Sequence, residues 1–279
     1  MYQECFGFDP ETEYDALVIA PGWKPTKIIK DPAYEVTELA QRTYISGYSV
    51  EKDGVKVAWA QTASGACNVM DHAIICADMK FRKCIFVGAA GGLTGDFEIG
   101  DFCTPEVCIS GVYTNHYLNS SLTEFHPYET IHPDMAYTQE IVKLAETSGY
   151  SLRTARVFCT DSVSLEYMHL DEIKAAGAEL IEMETGTFYT LADLFDVPSI
   201  ALLAVSDNSA TGVPLLGRGE DLAQKYLHTR STVIPDMIFQ IAGNQQRSVS
   251  FSADSHNALD ASSTPSFSVR TIGSAYRRR

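Results

Sequence analysis

Three short apolar runs, DALVIAPG (15–22), VKVAWAQT (55–62) and CIFVGAAGG (84–92), each stop at glycine, proline or a hydroxyl-bearing residue. Runs of this length suit buried strands. Between the second and third lies NVMDHAIICADMKF, in which Val69, Met70, Ala73, Ile74, Cys76, Ala77 and Met79 share one helical face. Strand, helix and strand in succession are the repeat of an α/β domain. DFCTPEVCISGV (101–112) reads as extended chain interrupted at Pro105, and the segment from Pro133 to Gly149 as a helix with a good first residue and a good terminator. ARVFCT (155–160) reads as another strand, and HLDEIKAAGA as a short helix. The stretch from Ala178 to Ser209 then reads as strand, helix and strand, in about the length of a βαβ crossover. An amphipathic helix over 221–242, bent at Pro235, completes the pattern.

A chain of 279 residues that is 45% apolar can bury a substantial core, and one domain over 1–242 is the simplest division. From Gly243 the composition turns serine-rich and polar, so 243–279 is predicted to be a disordered tail. The polar, aromatic excursion at 113–132 is long for a connection inside a compact domain and suits a lid. Its His116, His126, His132, Glu124 and Glu129 match no zinc spacing, so no metal is expected. The formal charge of −15 excludes a phosphate-backbone or anionic-membrane surface, so neither nucleic acid nor membrane is an expected partner. No apolar run approaches the roughly 20 residues of a bilayer span, and the acidic start MYQECFGFDPETEYD is unlike a secretory leader. Seven cysteines without CxxC spacing read as free thiols of a reducing, cytoplasmic compartment.

Two carboxylates stand at strand ends. Glu184 lies where ELIEME turns into a helix, and Asp207 where SIALLAVSD leaves its strand. At neighbouring carboxyl ends of a parallel sheet both would face the crevice where open α/β sheets bind ligands. A carboxyl partly desolvated there is able to carry a proton near neutral pH. Helix capping by Glu184 and turn formation by Asp207 account for such acids equally well. IFVGAAGGL has neither a Walker lysine nor GxGxxG, so Gly88, Gly91 and Gly92 offer only close backbone approach to a ligand.

In combination the motifs are specific. VGAAGGL, IGD (99–101), EMET (182–185) and VSDN (205–208), in this order and spacing, resemble the nucleoside phosphorylase superfamily over roughly residues 14–242. That resemblance implies a three-layer α/β/α fold with a twisted, partly barrel-like mixed β-sheet. It also implies attack at the ribose anomeric carbon with release of a free base, as in purine salvage and nucleoside catabolism. Glu184 would hold the ribose 2′ and 3′ hydroxyls, with Glu182 beside it and Met183 against the sugar. Asp207 would hydrogen-bond or protonate purine N7, oriented by Ser206 and Arg218, and Phe158 would lie against the base. A purine is favoured because the glutamine and arginine pair by which uridine phosphorylases hold uracil is missing.

The anion site is altered. By resemblance, phosphate would be held by Gly22 and Lys27 of PGWKPTK, by Gly88, and by Arg42 reaching across a subunit boundary in a homo-oligomer, a dimer or a hexamer built as a trimer of dimers. However, Phe86 occupies the usual arginine position and Ala89 the usual hydroxyl position. A charge-assisted hydrogen bond is worth about 1.5–3 kcal/mol, so phosphate affinity is expected to fall unless another cation compensates. Three readings stay open: phosphorolysis with inorganic phosphate as co-substrate and no cofactor, hydrolysis as in the AMP nucleosidases, and a non-catalytic, storage-type relative. The methylthioadenosine nucleosidase mechanism is disfavoured because the first strand's loop, APGWKPTK, carries no acid.

Overall fold

The structure is a computed structural model that describes residues 1–118, 121–123 and 126–244. Most of the tail predicted to be disordered, from 245 on, lies outside the described residues, as does Glu124. Ten strands form one mixed sheet: β1 (Ala16–Pro21), β2 (Glu35–Gln41), β3 (Ser46–Lys52), β4 (Val55–Thr62), β5 (Cys84–Gly92), β6 (Phe102–Ser110), β7 (Thr130–Ile131), β8 (Leu152–Cys159), β9 (Leu180–Glu182) and β10 (Ser199–Asn208). The helices are α1 (Tyr2–Phe6), α2 (Pro25–Ile28), α3 (Ala66–Ala73), α4 (Met135–Thr147), α5 (Leu170–Ala175), α6 (Thr185–Phe195), α7 (Glu220–His228) and α8 (Ile234–Gly243).

Strands β10, β6, β8, β9 and β5 pair in that order, and β5 pairs back onto β10, so the sheet closes on itself. From the other end of β5, strands β1, β4, β3 and β2 extend as an open sheet. This is the barrel-like α/β/α architecture that the sequence led us to expect. Strands β1 and β5 are apolar and almost wholly buried, as a strand covered on both faces must be. Helices α3 and α6 pack together against the sheet, as do α4 and α8. Among the described residues no helix is long and apolar enough to cross a membrane.

Local structure departs from expectation in ways that have physical causes. The proline at 105 does not interrupt its strand: β6 continues through it, and a bulge at Glu106 absorbs the lost ladder donor. Asp134, rather than Pro133, starts α4, because its carboxylate accepts from the Ala136 and Tyr137 N–H groups at 2.9 and 3.1 Å. The helix expected over 68–81 ends at Ala73 and tightens into a 3₁₀ turn at Ile74–Cys76. The last helix runs unbroken from 220 to 243 as expected, but with a wide π-type turn over Thr229–Val233 ahead of Pro235, which lies in the first turn of α8. A proline ring crowds the carbonyl four residues upstream, and widening that turn relieves the clash.

Candidate active site

The carboxyl end of β5 organises the site. Gly91 pairs with Ile181 of β9 on one side and with Asp207 of β10 on the other. Because β9 runs antiparallel to β5 while β10 runs parallel, the two acids do not meet as carboxyl ends of neighbouring parallel strands, as the sequence suggested. They meet because β9 folds Met183 and Glu184 back along the glycine-rich end of β5. Both acids line one cavity of about 270 Å³.

Glycine keeps the packing close here. A Cβ on Gly91 would come 3.0 Å from Asp207 Oδ2 and 3.2 Å from the Ile181 side chain. One on Gly92 would come 2.3 Å from Asn208 Nδ2. The register between β5 and β10 slips at Ser206, which forms a bulge and turns Asp207 toward the cavity. The Ser206 hydroxyl then donates to Asp207 Oδ1 at 2.6 Å. Arg218 donates to the Ser206 backbone carbonyl and stacks on Tyr226, 4.6 Å from its ring centre. Arg218 therefore supports the bulge that carries Asp207.

Glu184 occupies the N-cap position of α6, but its side chain makes no cap. It accepts instead from the Gly65 N–H at 2.6 Å, across 119 residues of sequence. Burial pushes its carboxyl up to about 7, against the opposing pull of the Gly65 and Met183 N–H groups. The capping role falls to Glu182. Its Oε2 accepts from the Glu184 and Thr185 N–H groups at 2.6 and 2.8 Å, and its Oε1 from the Thr185 hydroxyl at 2.7 Å. Burial first, then Cys159 and the neighbouring Glu184, raise its carboxyl well above the ordinary range. Glu182 lines the cavity, yet three donors hold it to the helix end, which leaves Glu184 as the acid available to a ligand.

Met183, Ser206 and Gly88 also line the cavity. Phe158 does not. It is buried over Gly111, in a neighbouring cavity of about 340 Å³ with Tyr128, whose ring centre is 5.7 Å away. Trp23, Ser64, Thr160, Glu166 and Tyr167 line the main cavity and were missed by sequence reasoning. They come from loops and turns without periodicity, whose only signal was position just beyond a strand. The excursion at 113–132 contributes no described residue to the main cavity; Asn115 instead accepts from Thr187 of α6 at 2.8 Å. His132 lies in a separate cavity beside Asp134 and Tyr189, away from any anion site here.

Apart from Gly88, the residues that the sequence assigned to phosphate do not line the cavity. Phe86, at the usual arginine position, is sealed in the core, its ring 5.5 Å from that of Phe188. The Gly22 N–H donates to the Thr62 carbonyl at 2.8 Å, so it is already engaged. Lys27 is exposed on α2 and does not line the cavity. Arg42 is exposed at the β2–β3 turn, where it donates to the Glu4 carbonyl at 2.9 Å. Among the described residues the cavity wall carries Glu166, Glu182, Glu184 and Asp207 but no lysine or arginine. The cation of Arg230 stands behind it, 4.9 Å above the ring of Trp23.

The sequence profile of the phosphorylase superfamily matches residues 17–226. This chain belongs to that superfamily. Purine nucleoside phosphorylases of the DeoD type from Listeria welshimeri, Listeria innocua and Listeria monocytogenes are each 25% identical to it over 169 residues, which are 60% of this chain and 70% of theirs. The matched span of this phosphorylase-superfamily chain takes in β5, the turn into α6 and the end of β10, the three elements that frame the cavity.

Proposed function

We propose that this protein cleaves the N-ribosidic bond of a purine nucleoside and releases the free base. The observation that carries the reading is the convergence of Glu184 and Asp207 on one cavity. Breaking this bond needs a proton or hydrogen bond for the departing nitrogen, a grip on the sugar and a nucleophile on the opposite face. Asp207, with one oxygen held by Ser206, donates a hydrogen bond or a proton from the other to purine N7. Glu184, fixed by the Gly65 N–H, accepts from the ribose hydroxyls, and Met183 packs against the sugar. As the sugar becomes oxocarbenium-like, those carboxyls of the wall that are ionised favour its positive charge.

Phosphate is the nucleophile that kinship with the purine nucleoside phosphorylases suggests, which makes ribose 1-phosphate the sugar product. In this reading the cation for phosphate comes from Arg42 of a second subunit in a homo-oligomer, and no cofactor takes part. Water is the second reading, favoured by one specific observation: the cavity wall holds four carboxyls and no cation among the described residues. Incubation with adenosine, inosine and AMP, with and without phosphate, separates the two. Ribose 1-phosphate identifies phosphorolysis, ribose or ribose 5-phosphate identifies hydrolysis, and absence of base release refutes the proposal.

A further inference from the structure

Glu166 opens the 3₁₀ turn Glu166–Met168 that follows β8, and its side chain stands in the wall between the two cavities, lining both together with Thr160. It is half-buried. Its backbone N–H donates to the Ser162 carbonyl at 3.1 Å, but among the described residues its carboxyl has neither a hydrogen bond nor an ion pair. The other charged groups of the second cavity are differently placed: Glu172 receives the Tyr128 hydroxyl and pairs with His169 at 3.4 Å, and Asp161 accepts from the Tyr113 N–H at 3.4 Å. Among the described residues Glu166 is thus a carboxyl without a partner, in the wall of the cavity that Asp207 also lines, and the charge of Asp207 adds to the effect of burial on it.

The chemistry of the purine edge gives that carboxyl a use. N7 and the substituent at position 6 are adjacent on one edge of the base. In a 6-aminopurine this edge presents an acceptor beside a donor, and in a 6-oxopurine two acceptors. A carboxyl that donates to N7 and a second, ionised one that accepts at position 6 match the 6-aminopurine edge. We propose that Glu166 reads position 6 of the base, accepting from an exocyclic amine while Asp207 serves N7, so that the site selects 6-aminopurines over 6-oxopurines. The inference rests on the purine reading above, in which Asp207 faces N7. Burial, with the Asp207 charge added, pushes the Glu166 carboxyl up to about 7, so above that pH it stands as an ionised acceptor. A 6-oxopurine in the same place sets its oxygen against a carboxylate oxygen, acceptor against acceptor.

The test is equilibrium binding of free adenine and free hypoxanthine at about pH 8, where Glu166 is ionised, to the full chain, which requires no turnover. The wild type is expected to hold adenine at least ~10-fold tighter than hypoxanthine, the scale of one charge-assisted hydrogen bond. Glu166→Gln, whose amide donates as well as accepts, is expected to bring the two within about threefold, and Glu166→Ala to weaken adenine more than hypoxanthine. A wild-type ratio near one, or a ratio unchanged in both variants, overturns the inference. Base release from adenosine in the same samples tells the failures apart. Release with an unselective or unaltered ratio overturns the Glu166 role alone, whereas no release and no binding of either base overturn the purine reading together with it.

Discussion

Gly91→Ala is the substitution through which the geometry of the site is most directly readable. The added methyl would meet Asp207 Oδ2 at 3.0 Å and the Ile181 side chain at 3.2 Å, both inside ordinary van der Waals contact. Gly91 is not among the glycines of positive φ, so the backbone itself accepts alanine. The Ile181 contact is with one methyl of a packed side chain, and Asp207 is held from behind by the Ser206 hydroxyl at 2.6 Å. The carboxyl must retreat by a few tenths of an ångström. A misplacement of about 1 Å costs about 100-fold in rate, so this shift should lower kcat/KM for adenosine by roughly 10-fold. Overpacking should also cost about 1–3 kcal/mol of stability, read as a lower Tm. The decisive assay is a double-mutant cycle with Asp207→Asn. If the methyl acts through Asp207, Gly91→Ala lowers kcat/KM in the wild-type background and has little further effect in Asp207→Asn. Independent, multiplicative losses would refute the argument, as would a Gly91→Ala enzyme within twofold of wild type.

Further expectations follow from single contacts. The Glu184 carboxyl, raised from 4.5 to about 7 by burial, holds a proton in the folded protein that the unfolded chain has already lost, so its contribution to stability is full below pH 4.5 and falls as pH rises through 7. Glu184→Gln should therefore melt higher than wild type at pH 8 and close to it at pH 4.5, while raising KM for the nucleoside; melting curves at the two pH values check the sign. Asn208 joins four backbone groups, donating to Thr94 and Phe97 carbonyls at 2.8 Å each and accepting from Ala210 and Thr211 N–H groups at 2.9 and 3.0 Å. Asn208→Ala should cost about 2–4 kcal/mol in urea unfolding. Lys83, buried, donates to the Ile241 and Asn244 carbonyls at 2.5 Å each and so closes the end of α8; Lys83→Met should speed amide exchange in that helix before it affects base release.

The legible part of this fold was the part governed by burial. Strands β1, β4 and β5 are apolar runs and could be placed within a residue or two. Strand β2 went unread because it is a largely exposed edge strand whose sequence, EVTELAQ, has no apolar stripe to betray it, and β3 because its buried residues in SGYSVEK are largely serine and glycine. Glu184 and Asp207 were legible from their motifs, but the reason they meet was not. The three residues of β9 do not encode their direction, which depends on pairing with Gly91 and Gly92 some ninety residues earlier. Capping by an acid was anticipated at Glu184 and occurs at Glu182, because the backbone at the helix start turns Glu184 toward Gly65 instead. Glu166 left no trace in the sequence, since a carboxyl in an irregular turn looks solvated until a cavity is found beside it.

The central claim is that Glu184 and Asp207 act on the two ends of one bound nucleoside. It is tested most directly by the initial rate of base release from adenosine by the wild type, Asp207→Asn and Glu184→Gln, with folding verified by circular dichroism. Both variants are expected to fold and to release base at least 100-fold more slowly, in line with the ~10²–10⁴-fold contributed by a positioned acid. Wild-type rates in both variants would contradict the account.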